Sequence, residues 1–464
     1  MKPPILWLFP EGWDRAAMRE AASLRERYDI IESGFDLFRF PENANLLWFD
    51  AKRYVDRMVG LGARRGIVGV VSTHEQYGAL IAAHVARRLG LPGADPKAIA
   101  LAQHKYYARQ RLAQTRPDLT PPFALLPQTF ADTSVRDEAP LPYPFFVKPV
   151  KAAYSVLARR VDSPADLAAH LTFRPWERHI IRRLVRPFDD LMRDHPGIDV
   201  PAEAMLAEGL LDGVQVNVDG WFDRGAPGIF GVVDSIMYPG TQAFARFEYP
   251  SRVPAPVQDR LVEAAQAAMR SVGFDHGVFN VELYWRPDDD TIKVIEINPR
   301  LASQFGDLYF KVDGSHPYDV VTALATGREP VWRRGEGRWG AAASFVFREF
   351  DGAIKTEPGP AARAWLAERH PDAILQTYIK RGNARWRETR WLGSYRYAIV
   401  NLGGADHDDL MRRFAALERH VVFQAGRVEP RHVALEDERT DFFADLGLRG
   451  HGASIDARDA RARR

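Results

Sequence analysis

The sequence predicts an α/β protein: an N-terminal doubly wound parallel sheet, an α+β centre, and a C-terminal α/β region placed like a lid. Three observations predict it. The first hundred residues alternate strand and helix, the texture from about Pro121 turns to strands broken by Gly and Asp, and a mixed pattern returns after about Trp332. The expected domains are 1–118, 119–331 (with a subdomain at about 121–211) and 332–450. Residues 451–464 form a polar, arginine-rich end without apolar periodicity, expected to be a disordered, solvated tail.

The apolar run Ile5-Leu6-Trp7-Leu8-Phe9 is closed by Pro10-Glu11-Gly12. It is too short for a targeting segment or a membrane span and reads as a first core strand. A helix is expected over 14–27, a strand over 28–31, and a buried β-branched strand over 66–71. The next helix, 75–89, stops at Gly90 with Pro92 beyond it. Glycines 60, 62 and 66 look like a dinucleotide loop, but they precede their strand and the third comes one place late, so a turn is expected. Strands follow at 145–148, 155–161, 205–211, 214–218 and 228–236, a helix at 256–272, and strands at 278–286 and 292–298. A strand at 395–402 and a helix at 408–417 mark the last region.

Composition narrows the function classes. At 464 residues the chain exceeds one compact core, and 46% hydrophobic with 27% charged residues is ordinary for a globular enzyme. A net charge of +2 gives no case for nucleic acid or an anionic membrane, and Arg182-Arg183 and Arg333-Arg334 read as solvated faces. Cysteine is absent, which removes disulfides, thiolate nucleophiles and Cys-ligated zinc. A reducing, cytoplasmic location is the expectation. The thirteen histidines show no His-Glu-x-x-His spacing, so His74, His276 and His316 are assigned no role.

The sharpest chemistry lies in residues 278–300. Asn280, Glu282 and Tyr284 share one face of the first strand, and Glu296 and Asn298 share one face of the second. A five-residue turn over 287–291 sets Glu282 opposite Glu296, whereas a four-residue turn pairs Glu282 with Ile295 and separates the carboxylates. Two carboxylates and an amide oxygen on one face suit Mg²⁺. Without a cation they would repel, and one would take up a proton. The plainer alternative pairs Glu296 with Arg300 and leaves Glu282 facing water.

Lys148 ends the apolar strand Phe145-Phe146-Val147 and precedes Pro149. A lysine emerging from a buried strand needs an anion or a route to solvent, and a phosphate is a natural partner. Val147-Lys148-Pro149, Glu208 in Glu208-Gly209-Leu210-Leu211-Asp212-Gly213, Asn280-Val281-Glu282 and Glu296-Ile297-Asn298-Pro299-Arg300 together resemble the ATP-grasp superfamily. The nearest likeness is to its carboxylate–amine ligases, D-alanine–D-alanine ligase and the L-amino-acid ligases. It runs from about residue 66 to 330.

The resemblance implies an ATP-grasp fold, with 121–211 clamping the nucleotide, and an ADP-forming ligase that joins an acid to an amine through an acyl phosphate. It implies ATP and Mg²⁺, with Mn²⁺ as a substitute ion. Lys148 and Lys105 would contact the phosphates, and Lys148 and Arg300 would serve catalysis. Glu208 and the backbone near Leu211 would meet adenine. Glu282, Glu296 and Asn298 would hold the metal, and Arg300 would face the acyl phosphate. Two departures stand out. The loop after the strand lysine, Lys151-Ala152-Ala153-Tyr154-Ser155, has no glycine; Ser155 is its best match and Lys151 a source of charge. Gln215 stands where a ribose-binding glutamate is usual, and its carbonyl can still accept.

The expected partners are small carboxylates and amines, with no nucleic acid and no membrane; relatives are often dimers, which leaves a homodimer open. Arg246 is a further candidate for a substrate carboxylate. A kinase or carboxylase on the same fold, or a non-catalytic ATP-binding module, are the competing readings.

Overall fold

The computed structural model describes residues 2–36, 42–129, 139–151, 157–172, 175–351, 353, 355–380, 385, 388–389 and 393–423. Ser155, residues 424–450 of the expected third domain and the expected tail lie outside the described residues.

The N-terminal layer is a parallel sheet of β1 (Pro4–Leu8), β2 (Asp29–Ser33) and β3 (Gly69–Val71), in the order β2-β1-β3. The chain reverses its winding between β1 and β3, and the turns leaving these strands emerge on one edge. Those turns carry Glu11 and Glu75.

The predicted helix over 14–27 is two helices, α1 (Gly12–Glu20) and α2 (Ala22–Arg27), broken at Ala21, whose ψ of 79° is not helical. The glycine-rich stretch at 60–66 is not a turn. It is the end of α3 (Ala51–Arg65), capped by Asp50 and stopped by Gly66 at φ 61°. Ala51, Tyr54, Val55, Met58 and Gly62 form its buried stripe, and a β-carbon on Gly62 would lie 2.5 Å from Leu89. That contact accounts for the glycine. Three helices follow: α4 (Gly78–Leu89), α5 (Pro96–Gln103) and α6 (Lys105–Thr115).

Next comes a four-stranded antiparallel sheet of β4 (Phe123–Thr129), β5 (Phe145–Pro149), β6 (Arg159–Val161) and β7 (Ala204–Gly209), ordered β4-β7-β5-β6. Helices α7 (Pro164–Leu171) and α8 (Pro175–Met192) belong to this segment.

The largest sheet is antiparallel and has eight strands. Its members are β8 (Val214–Asp223), β9 (Ala226–Met237), β10 (Phe244–Tyr249), β11 (Gly277–Arg286), β12 (Thr291–Asn298), β13 (Ala341–Glu349), β14 (Ile374–Thr377) and β15 (Tyr395–Gly404). Their order is β12-β11-β8-β9-β10-β13-β15-β14. The predicted boundary at 332 is therefore no break in the sheet, because β13 pairs directly with β10, with Phe345 opposite Arg246. Further helices are α9 (Ala255–Ser271), α10 (Gly306–Asp313), α11 (Pro317–Ala325), α12 (Pro360–Arg369) and α13 (His407–His420).

One apolar core runs from the N-terminal layer into the large sheet, joining Leu6, Leu80 and Val85 to Leu261, Val281 and Val294. Side chains of this size contribute about 1.5–3 kcal/mol each when buried, so the two layers are held as one body. A separate cluster fixes α13 to the last strands, with Phe345 and Phe414 stacked at 3.6 Å. Among the described residues no helix is long and apolar enough to cross a membrane.

Candidate functional site

The hairpin of β11 and β12 closes as a four-residue turn, with Arg286 opposite Thr291. By strand parity alone that turn would pair Glu282 with Ile295 and send Glu296 to the other face. A β-bulge between Glu282 and Leu283 absorbs Ile295, and beyond it the register is Glu282–Glu296 and Asn280–Asn298. The predicted convergence is present, but the device is a bulge rather than a five-residue turn.

The bulge is held by cations. Arg109 donates through Nη1 to the Val294 carbonyl at 2.6 Å and through Nη2 to the Ile295 carbonyl at 2.8 Å. Lys148 Nζ also reaches the Ile295 carbonyl, at 3.3 Å. A bulge leaves backbone groups outside the ladder, and buried carbonyls need donors. The guanidinium fork supplies two in a fixed geometry.

Arg109 and Lys105 lie one turn apart on α6 and so share a face. The start of this helix is tied to the strand lysine, because the Lys105 amide donates to the Val150 carbonyl at 2.9 Å, just past β5. Lys105 is buried rather than an exposed helix lysine, and its Nζ lies 2.7 Å from Glu296 Oε1. Arg109 Nε lies 2.6 Å from Glu208 Oε1, and Lys148 Nζ lies 2.6 Å from Glu208 Oε2. Phe146 pairs with Glu208 between β5 and β7, which puts Lys148 on the adjoining diagonal. Burial alone would raise the Glu208 carboxyl, but Arg109 and Lys148 more than offset it and bring its pKa to about 2. The Glu208 carboxylate is thus committed to two cations. Leu211, on the connector between β7 and β8, is half-buried.

Of the two metal-candidate carboxylates, Glu296 is paired with Lys105, whereas Glu282 has an amide for a partner. Burial, reinforced by Glu296, pushes the Glu282 carboxyl up to about 7, against the opposing pull of Arg300 and Lys105. Gln215 donates to Glu282 Oε2 at 3.0 Å, so its amide nitrogen serves the carboxylate and its carbonyl oxygen is the end left to accept. The third candidate is oriented by a chain of amides. Asn298 Nδ2 donates to Asn280 Oδ1 at 3.1 Å, and Asn280 Nδ2 donates to Asn217 Oδ1 at 3.0 Å and Asp219 Oδ1 at 2.6 Å. Tyr309 closes the chain on Asp219 Oδ2 at 2.8 Å. With its nitrogen used in this way, Asn298 presents its oxygen as the ligating end. Two carboxylates and one amide oxygen fit a hard divalent ion that completes its shell with phosphate and water.

Arg300 does not pair with Glu296. It pairs with Glu75, from the turn after β3, through its Nε. Burial raises the Glu75 carboxyl, but Arg300, Lys151 and Lys105 outweigh it and hold the group below its ordinary value. Glu11, from the turn after β1, is pushed up to about 8 by burial, with Asp14 and Asp36 adding and Arg300 opposing. The N-terminal layer therefore sets two carboxyl groups within the field of Arg300. His74 and His316 are buried, and burial lowers each to about 3, so both are neutral. Arg246 pairs through Nε with Glu248 at 2.5 Å.

Arg109, Glu75 and Glu11 escaped the sequence reading. Helix α6 has no apolar stripe to orient it, and nothing local in the sequence ties residue 75 to residue 300. The signal that could have found Arg109 is its place four residues after Lys105.

The ATP-grasp domain signature matches residues 141–307, which include β5, the hairpin and Arg300. That stretch of the chain is similar to an ATP-grasp domain. Carnosine synthase 1 of Gallus gallus is 31% identical over 261 residues, which are 54% of this chain and 26% of that protein. The chain thus matches about a quarter of that relative's length. The crystal structure of L-amino acid ligase from Bacillus licheniformis superposes with a TM-score of 0.66 at 16% identity, covering 91% of this chain and 99% of the other. A carboxyaminoimidazole ribonucleotide synthase from Aspergillus clavatus complexed with ATP gives a TM-score of 0.61 at 15% identity, covering 90% and 98%. The two structural likenesses show a shared fold over nearly the whole chain.

Proposed function

We propose that the protein is an ATP-dependent carboxylate–amine ligase that forms an amide or peptide bond through an acyl phosphate. The observation that carries this is the convergence of Glu282, Glu296 and Asn298 on one face, ringed by Lys105, Lys148 and Arg300. The names of an L-amino acid ligase and a carnosine synthase among its relatives support amino-acid-like substrates.

In this reading Glu282, Glu296 and Asn298 would hold Mg²⁺, which would supply charge neutralisation for the phosphates of the nucleotide. Lys105 and Lys148 orient those phosphates; each ammonium has three donors and can keep its glutamate while meeting an oxygen. The connector near Leu211 meets adenine, and the Gln215 carbonyl accepts from ribose. A substrate carboxylate oxygen attacks the γ-phosphorus, and the bond to the ADP oxygen breaks. The amine nitrogen then attacks the acyl carbon and phosphate leaves. Arg300, steadied by Glu75, faces the oxyanion of that second step. No protein nucleophile is required, in keeping with the absence of cysteine.

The test is phosphate release with Mg²⁺–ATP across amino acids, supplied singly and in pairs. The ligase reading predicts release that needs both an acid and an amine, together with a product heavier by one condensation. ADP formed from a single substrate without phosphate release, together with a stable phosphorylated product, would replace this reading with a kinase.

A further inference from the structure

Five cations and four carboxylates meet around the hairpin, and the cations are not equivalent. Lys105 has Glu296, Lys148 and Arg109 share Glu208, and Arg300 has Glu75. Lys151 differs. It is 1% exposed, and among the described residues no carboxylate lies within ion-pair distance of its ammonium. Its Nζ donates to one backbone carbonyl, that of Glu75, at 3.2 Å, and stands 5.0 Å from the centre of the Phe188 ring. A carbonyl and a ring face are weak compensation for a charge removed from water.

Resting on the ligase reading above, we propose that Lys151 is a phosphate-binding residue, whose ammonium meets the terminal phosphoryl group of the nucleotide. Its anchor explains its position. The Glu75 carbonyl holds Nζ next to the residue whose carboxylate steadies Arg300, so one short turn after β3 places two cations side by side. The γ-phosphate is the anion that arrives there and supplies the missing partner, with charge-assisted hydrogen bonds. The groups facing Lys151 agree with this. Burial lowers its ammonium to about 8, Lys105 and Arg300 add to that, and Glu75 and Glu296 oppose it. His74, beside it, is neutral. An arriving phosphate holds the proton on Lys151.

The experiment compares Mg²⁺–AMPPNP with Mg²⁺–ADP binding to the full chain by calorimetry, for the wild type, Lys151→Met and Lys151→Arg, with ligand-free thermal melts alongside. The wild type should prefer AMPPNP. Lys151→Met should reduce that preference about tenfold or more with ADP affinity nearly unchanged, and Lys151→Arg should restore part of it. The ligand-free Lys151→Met protein should melt no lower than the wild type, since a poorly compensated buried charge is gone. An unchanged AMPPNP-to-ADP ratio in Lys151→Met would overturn the assignment. So would equal loss of both nucleotides with a lower melting temperature, which is the mark of a structural lysine. A wild type that binds neither nucleotide would instead bring down the ligase reading itself.

Discussion

Glu282 faces Glu296 across a hairpin whose turn alone would have parted them; the bulge at Ile295 brings them back together. Burial, reinforced by the neighbouring Glu296, raises the Glu282 carboxyl to about 7. Such an arrangement is poised for a cation.

The first prediction concerns that proton. The folded-state pKa of Glu282, about 7, lies above its ordinary 4.5. Its contribution favours folding below about 4.5 and is lost as pH rises through about 7. Mg²⁺ competes with the proton, so Mg²⁺ should raise the melting temperature more at pH 8 than at pH 6. Glu282→Gln should abolish the difference. Melts at both pH values, with and without Mg²⁺, check this; equal shifts would count against it.

Arg109 clamps the bulge to Glu208. Arg109→Met strips two carbonyls and a buried carboxylate of their donor, and should cost about 3–5 kcal/mol in urea unfolding. Arg109→Lys should recover only part, because one ammonium cannot span acceptors set for a planar fork. A loss under about 1 kcal/mol in Arg109→Met would show that the bulge holds without it.

The amide chain from Tyr309 to Asn298 should matter for metal without touching it. Asn280→Leu leaves Asn298 without its acceptor and free to turn. Affinity for Mg²⁺–nucleotide should fall about 10–100-fold, the size seen for supporting residues of metal sites. Calorimetric titration measures it, and unchanged affinity would remove the chain from the account.

Glu11 gives a pH signature of its own. Its carboxyl is raised to about 8, so its favourable contribution, present below about 4.5, is lost as pH rises through about 8. Glu11→Gln should therefore melt higher than the wild type at pH 9 and gain nothing at pH 5. A gain that is the same at both pH values would contradict this.

Much of this was legible from residue order. Strand period placed Lys148 at the end of β5 and put Glu282 and Glu296 on candidate faces, because alternation is a local rule. The bulge was not legible, since a four-residue turn and a four-residue turn with a bulge are written in the same letters. What selects between them is Arg109, nearly two hundred residues from Ile295 in sequence. The continuation of the large sheet past residue 332 escaped for a related reason. The pairing of β10 with β13 joins segments about a hundred residues apart, and local texture reports composition rather than partners. The partners of Gln215 and Glu208 were not legible, because they come from other elements.

The measurement that bears most directly on the central claim is a crystal structure with Mn²⁺ and AMPPNP, using the anomalous signal of the ion. The account predicts an ion within about 2.3 Å of oxygens from Glu282, Glu296 and Asn298, with the triphosphate between Lys105 and Lys148. An ion and nucleotide bound elsewhere, with Lys105 still closed on Glu296 and the two carboxylates sharing a proton, would contradict it.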